Sequence, residues 1–224
     1  MSVVPEAERE AHLAAVNTRH DNGDANFQAR AAAIAARVPA DSRTRLLQQG
    51  IDAKTVAQRI FWLRREAELV QSAASGSVAC GAGCSHCCHI SVLVAEPEAK
   101  EIGKAIGRRP AEVLPGRSFT GADVVSRDDC HKERAAAIRD AVGAKVFGVP
   151  CTFLVDDRCS IYEHRPLACR HLFNVDVDSL LCQLVPGMAI EVPYLGMQGE
   201  QVAYVAAMGA NARLADIRDW FPVG

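Results

Sequence analysis

Four cysteines within nine residues constrain this chain more than any other feature of its sequence. The run is Cys80-Gly-Ala-Gly-Cys84-Ser-His-Cys87-Cys88, in which small residues let the backbone fold tightly around a central group. A second cysteine-rich stretch spans residues 151–170, and Cys182 follows it. We expect the two stretches to act as partners, so that the chain is organised around them.

Whether nine cysteines form disulfides or bind metal depends on whether the protein is cytoplasmic or secreted. The start of the chain lacks the basic region and apolar run of a signal peptide, and no later window approaches the length of a membrane span. We therefore expect a cytoplasmic protein, in which thiols stay reduced and nine cysteines favour metal or redox chemistry over a disulfide scaffold. A net charge of -2 and a pI near 6.4 predict neither nucleic acid nor a membrane as a partner.

Helical periodicity dominates residues 1–75, which we predict to be an N-terminal helical region. Apolar residues recur at helical spacing as far as Pro39, which ends the first element. From Asp52, interpreted as a helix cap, a second apolar stripe runs to Val70. Such a stripe predicts a helix that faces the core, and a partner-binding helix is the alternative.

Shorter elements are predicted over residues 76–185, which we interpret as a cysteine-cluster metal-binding domain. In chain order they are a strand at 90–94, a helix opened by Pro97, a loop at 108–121, a helix at 123–146, a hairpin from 153–155 and 159–161, and a short helix after Pro166.

The remaining residues, 186–224, are predicted to end in an amphipathic C-terminal helix packing on the same domain. Its apolar positions run from Ala203 to Phe221 at helical spacing. The whole pattern indicates a mainly α fold, that is, a helical domain with a cysteine-rich metal-binding core and a small β-hairpin. Only 5% of the residues are aromatic, so the core must be built from Ala, Val, Leu and Ile.

Thiolate geometry links the cysteines to metals. Zinc takes four thiolates tetrahedrally and iron–sulfur clusters also take four cysteines, so cysteines two to four residues apart can converge on one centre. Cys80, Cys84 and Cys87 have that spacing. Adjacent side chains diverge, so the neighbouring Cys87 and Cys88 suggest two sites, a bridged site, or one ligand beside a free thiol.

Eight of the cysteines are candidate metal ligands, enough for two four-thiolate sites or for one cluster and a smaller site. They are Cys80, Cys84, Cys87, Cys88, Cys151, Cys159, Cys169 and Cys182. Cys130 stands apart and is expected to be a buried thiol. His86 and His89 flank the first stretch and could be ligands, above all for zinc.

Excess negative charge on such a centre must be balanced by cations or hydrogen-bond donors. Arg165, Arg170 and Tyr162 lie where they could supply this balance, and we take them as cofactor-binding candidates. The alternative is that Arg165 forms a surface salt bridge and that Tyr162 packs only.

The two cysteine stretches together resemble the YkgJ-type cysteine-cluster family, described as zinc- or iron-chelating domains. The resemblance covers about residues 80–182, through Cys-x3-Cys-x2-Cys-Cys and the later Cys-Ser-Ile-Tyr-Glu-His-Arg-Pro-Leu-Ala-Cys-Arg. It implies that the cysteines of both motifs up to Cys169 are the family's own, with Tyr162, Arg165, Pro166 and Arg170 completing the second motif. Some relatives are labelled iron–sulfur oxidoreductases, and a flagellin lysine methylase is similar in its cysteine motif.

These observations leave several functions open. The first is an iron–sulfur or other iron centre used in electron transfer or in a modification step on a protein partner. The alternatives are a zinc-binding structural or interaction protein, a metal-delivery protein, and a radical enzyme, for which the expected barrel is missing. Surplus thiols and the adjacent pair favour iron or a polynuclear centre over zinc.

Overall fold

Three consecutive helices form the N-terminal part of the protein, and the predicted breakpoint between the first two is confirmed. The computed structural model describes residues 3–81, 83–114, 116–125, 129–195 and 198–223. Helix α1 (Arg9–Arg37) ends just before Pro39, α2 (Ala40–Asp52) follows, and α3 (Val56–Ala74) completes the group. Proline cannot continue the first helix, because it has no backbone N–H to donate.

The cap of α3 differs from the prediction, because Asp52 is the last residue of α2 and Thr55 caps α3. The Thr55 hydroxyl accepts from the Gln58 backbone N–H at 3.2 Å, and the Gln58 side-chain oxygen accepts from the Thr55 N–H at 3.3 Å. This reciprocal pair is a capping box. The predicted apolar stripe of α3 is buried, from Ile60 to Val70, so this helix faces the core.

The middle of the chain contains short strands and helices. They are β1 (Leu93–Ala95), α4 (Glu96–Ile106), β2 (Ser118–Thr120), α5 (Gly121–Val125), α6 (Asp129–Val146), β3 (Leu154–Val155), β4 (Arg158–Cys159) and α7 (Leu167–Arg170). The strand predicted at 90–94 is present with a later start, at Leu93–Ala95, and the helix that Pro97 opens and the short helix after Pro166 are confirmed. The predicted loop at 108–121 is wrong at its end, where β2 lies.

The predicted hairpin is confirmed as the antiparallel pair β3–β4. Asp156 and Asp157 form its two-residue turn and both have positive φ angles, 48° and 58°. Two positive φ angles define the hairpin turn that matches strand twist, and aspartate tolerates them better than most residues. The turn places Cys159 opposite Leu154.

The predicted C-terminal helix is wrong over its second half. The chain forms α8 (Gln198–Met208), then strand β5 (Arg213–Asp216), then the single turn α9 (Ile217–Trp220). Gly209, with a φ of 97°, ends α8. Strand β5 lies at the centre of an antiparallel sheet of order β1-β5-β2, so tertiary pairing overrides the helical spacing of its apolar residues.

Core packing joins the N-terminal helices to the later elements. One buried cluster combines Ile60 and Leu63 of α3 with Leu167 of α7 and Ala203 of α8. A second combines Phe27 of α1 with Phe173, which follows α7. None of the helices in the described ranges has the length and apolar character that a bilayer crossing requires.

Candidate metal centre

The first cysteine stretch leaves α3 as an irregular loop and ends in a 3-10 turn at His86–His89. Gly83 has a φ of 90°, a conformation that residues with a side chain rarely adopt. Glycine at this position therefore lets the chain bend between Cys80 and Cys84. Among the eight cysteines whose side chains the structure describes, Cys84 alone is exposed, and all eight are free thiols.

Asn174 connects the first stretch to Cys182. Its backbone N–H donates to the Cys80 sulfur at 3.2 Å, and its side-chain amide donates to the Cys182 sulfur at 3.1 Å. Burial raises the pKa of Cys182 to about 12, and negative charge on Cys80, Cys84 and Cys87 contributes. Only thiols that lie near one another affect each other in this way. We call Cys80, Cys84, Cys87 and Cys182 the outer set.

Three of the other four thiols pack against the core. Cys151, Cys159 and Cys169 pack against a buried cluster that includes Phe153 and Ile161. The Cys151 N–H donates to the Cys88 carbonyl at 2.7 Å, which ties the first stretch to the second. Burial raises the pKa of Cys169 well above its ordinary value, and charge on Cys151 and Cys159 adds to this. We call Cys88, Cys151, Cys159 and Cys169 the inner set.

Cys87 and Cys88 are the junction between the two sets. The hydrogen bond with Cys88 lowers the pKa of Cys87 to about 7, and the same bond raises the pKa of Cys88. Charge on Cys87 also reaches Cys182 in the outer set and Cys169 in the inner set. The adjacent cysteines therefore stand between two groups of thiols.

The second motif brings a cation to this junction. The Arg165 guanidinium stacks on the Tyr162 ring at 3.8 Å from the ring centroid. Its charge helps to lower the pKa of Cys87 and acts against the burial that raises the pKa of Cys159. Arg170 instead donates to the carbonyls of Glu163 at 2.5 Å and Arg165 at 3.3 Å. Arg170 thus holds the backbone of the motif that presents Arg165.

Residues 79–183 match the CxxCxxCC family, whose description is "Putative zinc- or iron-chelating domain". The match confirms the resemblance predicted from the two cysteine motifs, and it supports metal binding with zinc or iron as the metal. No curated protein and no solved structure matches the chain.

The donors of this CxxCxxCC domain suit a soft or borderline metal, because thiolates select zinc, copper(I) and iron–sulfur centres. In the part of the chain that the structure describes, however, no three Cys, His, Asp or Glu side chains are already arranged as a metal site. The thiols are close enough to affect one another electrostatically, and a bound metal would have to draw them closer.

The sequence analysis left His86 and His89 as possible ligands and set Cys130 apart as a buried thiol. His89 is buried, and its Nδ1 lies 3.1 Å from the Ser85 carbonyl within the same turn. His86 keeps a buried Nδ1 with no hydrogen-bond partner, and burial lowers its pKa. His171 pairs with Glu66 at 2.8 Å. The side chain of Cys130 lies outside the described part of the structure.

Arg218, from α9, holds the two cysteine stretches together and was missed in the sequence. Its guanidinium donates to the carbonyls of Cys88 at 2.8 Å and Ile90 at 3.2 Å. It also donates to those of Val149 at 2.7 Å and Pro150 at 3.2 Å, next to Cys151. The fully buried Asp216 pairs with it at 3.0 Å. Both residues lie after residue 183, where the family match ends. Because this part of the chain was predicted to be an ordinary amphipathic helix, its sequence did not indicate a contact with the cysteines.

Glu98 stabilises the helix that carries Cys169, a member of the inner set. It is fully buried on α4, where its carboxyl accepts from the Leu167 N–H at 2.9 Å and from the Tyr204 hydroxyl at 2.7 Å. The first of these bonds satisfies a free donor at the start of α7, the helix that carries Cys169. Burial raises the pKa of Glu98.

Proposed function

We propose that the protein is a two-centre metal protein in which the outer set holds an iron–sulfur cluster for electron transfer with a protein partner. The inner set holds a second, structural metal. The observation that carries this proposal is that Asn174 donates to the sulfurs of both Cys80 and Cys182, whereas the cysteines of the second stretch pack on the core. Four cysteines are the usual complement of an iron–sulfur cluster and of a structural zinc ion.

The outer set has the surroundings that an electron-transfer centre needs. Its Cys84 is exposed, so one edge of the set reaches the surface where a partner could approach. Two N–H donors of Asn174 point at the sulfurs of Cys80 and Cys182. When bound, a cluster supplies one-electron redox chemistry, and hydrogen bonds to its sulfurs together with solvent exposure set its potential.

The charges around the thiols support the same assignment. Arg165 places its guanidinium beside the junction, where it offsets part of the negative charge of the thiolates. Tyr162 fixes this guanidinium by stacking, and it is itself 41% exposed. We assign this exposed aromatic ring to the surface that a redox partner contacts, because aromatic residues are enriched at interfaces.

Zinc in both sets is the second candidate, and the packing of three inner cysteines on the core favours it. Cys151, Cys159 and Cys169 pack on the core, so a metal there would stabilise the fold in a closed site. Metal delivery receives less support, because weakly held thiols should be exposed and only Cys84 is so among the described cysteines.

Anaerobic purification followed by analysis of iron, zinc and acid-labile sulfide tests the proposal. A brown protein with sulfide and a broad visible band that bleaches on reduction supports the cluster. A colourless protein that contains zinc and no sulfide would exclude the iron–sulfur assignment and leave both sets structural. The same preparation of Cys84→Ser shows whether the cluster depends on the outer set.

A further inference from the structure

A cavity of about 140 Å³ lies beside the outer set, between the first cysteine stretch and residues 181–194. Cys87 and Cys182 line it, whereas Cys80 and Cys84 do not. The cavity therefore borders two of the four thiols of the outer set.

The wall of the cavity is mostly apolar, with one polar group that lacks a partner. Leu181 is fully buried in the wall, Ile190 is half-buried, and the exposed Met188 forms part of it near the surface. His86 lines the same space, and its buried Nδ1 makes no hydrogen bond within the protein. A buried polar atom without a partner usually marks a missing water or ligand.

We propose that this cavity binds a small, neutral and mostly apolar molecule carrying a single hydroxyl or thiol group, and holds it against Cys87 and Cys182. The assignment to a molecule that meets the metal centre rests on the proposed function. The cavity itself rests on its shape and lining alone.

Three properties of the cavity define this class of ligand. An apolar cavity of about 150 Å³ accepts benzene, so a body of about six or seven non-hydrogen atoms suits the volume. No Asp, Glu, Lys or Arg side chain of the described residues lines the space, so a charged ligand would lack an ion-pair partner of that kind. A hydroxyl can donate to or accept from the His86 ring nitrogen, whichever tautomer is present.

The size also excludes larger cofactors from this cavity. Sites for drug-sized ligands occupy about 300–1,000 Å³, more than twice the volume found here. A nucleotide or a methyl-donating cofactor would not fit as a whole. The ligand is therefore a small substrate or an exogenous ligand of the centre.

Phenol is a suitable probe, titrated by calorimetry into the metal-containing protein. We expect one saturable site per chain. Ile190→Phe should fill the cavity and raise the Kd for phenol at least tenfold. Val202→Phe, the same kind of change at an exposed position of α8, should leave the Kd unchanged. His86→Leu removes the polar partner and should raise the Kd roughly threefold to tenfold.

Metal content and circular dichroism are recorded for each variant, and Val192→Phe, in the same wall, replaces Ile190→Phe if that variant fails to fold. Absence of saturable binding to the wild type, or equal binding by the filled variant, would overturn the proposal. Phenol binding by a protein without zinc or iron would instead contradict the proposed function and leave the cavity in place.

Discussion

The inner and outer thiol sets use the same ligand chemistry in different surroundings. The inner set packs its cysteines against Phe153 and Ile161, and Glu98 anchors the helix that carries one of them. The outer set lies in a loop and two 3-10 turns, receives two hydrogen bonds from Asn174 and exposes Cys84. Packing on the core suits the structural metal that we assign to the inner set, and access through Cys84 suits the cluster that we assign to the outer set.

Serine substitution in each set is the strongest way to break this comparison. Cys169→Ser should lose the inner metal and destabilise the protein by more than about 4 kcal/mol, because loss of a structural metal is among the largest single-residue effects. Cys84→Ser should lose only the outer metal and cost less than about 2 kcal/mol, since the residue is exposed. Metal analysis and urea unfolding measure both. Equal losses in the two variants would contradict the division into sets.

The Arg218 contacts test whether residues outside the matched segment are needed by the domain. Arg218→Ala removes donors to both cysteine stretches and leaves the buried Asp216 without its cation. Breaking a buried ion pair costs about 3–5 kcal/mol, and we expect the inner metal to be weakened as well. Arg65→Ala, which breaks an exposed pair with Glu68, should cost about 0–1 kcal/mol. Similar unfolding midpoints for the two variants would argue against this role of Arg218.

Asn174→Asp tests the hydrogen bond that supports the outer set. The change keeps the oxygen that accepts from the Asp176 N–H, removes the donor to Cys182 and adds a negative charge. Loss of such a supporting contact usually costs roughly 10- to 100-fold in metal affinity. Chelator competition should show this weakening for the outer metal alone, and the cluster potential should become more negative. If Asn174→Asp instead weakened binding of the inner metal, the assignment of Asn174 to the outer set would be contradicted.

The smallest expected effect concerns Glu98 and pH. Burial raises its pKa in the folded protein, so its stabilising contribution is complete below the ordinary glutamate pKa and is lost as the pH rises through the raised value. Glu98→Gln cannot ionise. The difference in free energy of unfolding between variant and wild type should therefore shift in favour of the variant as pH rises. A difference that stays constant with pH would contradict the assignment.

Local signals in the sequence predicted much of the fold. Pro39, Pro97 and Pro166 mark real boundaries, and the stripe of α3 is buried as its spacing predicts. These features are determined by neighbours in the chain. The strand at Arg213–Asp216 is different, because it exists only through pairing with β1 and β2. Helical spacing of its apolar residues could not reveal those partners.

The candidate site shows the same limit. The cysteine motifs and Arg165 could be chosen from residue type and spacing, since thiols cluster in the sequence itself. Asn174 and Arg218 act through hydrogen bonds across long sequence separations, and neither stands in a motif. The division of the cysteines into sets also depends on which segments of the chain lie side by side. Cysteine spacing along the sequence does not specify those contacts.

The most direct test of the two-centre proposal is to measure iron, zinc and acid-labile sulfide in anaerobically purified wild-type protein and in Cys84→Ser. We expect the wild type to contain iron, sulfide and visible colour, together with a second metal. We expect Cys84→Ser to lose the sulfide and the colour and to keep the second metal. A colourless, sulfide-free wild type would contradict the cluster. Loss of all metal from a folded Cys84→Ser protein would contradict the two separate sets.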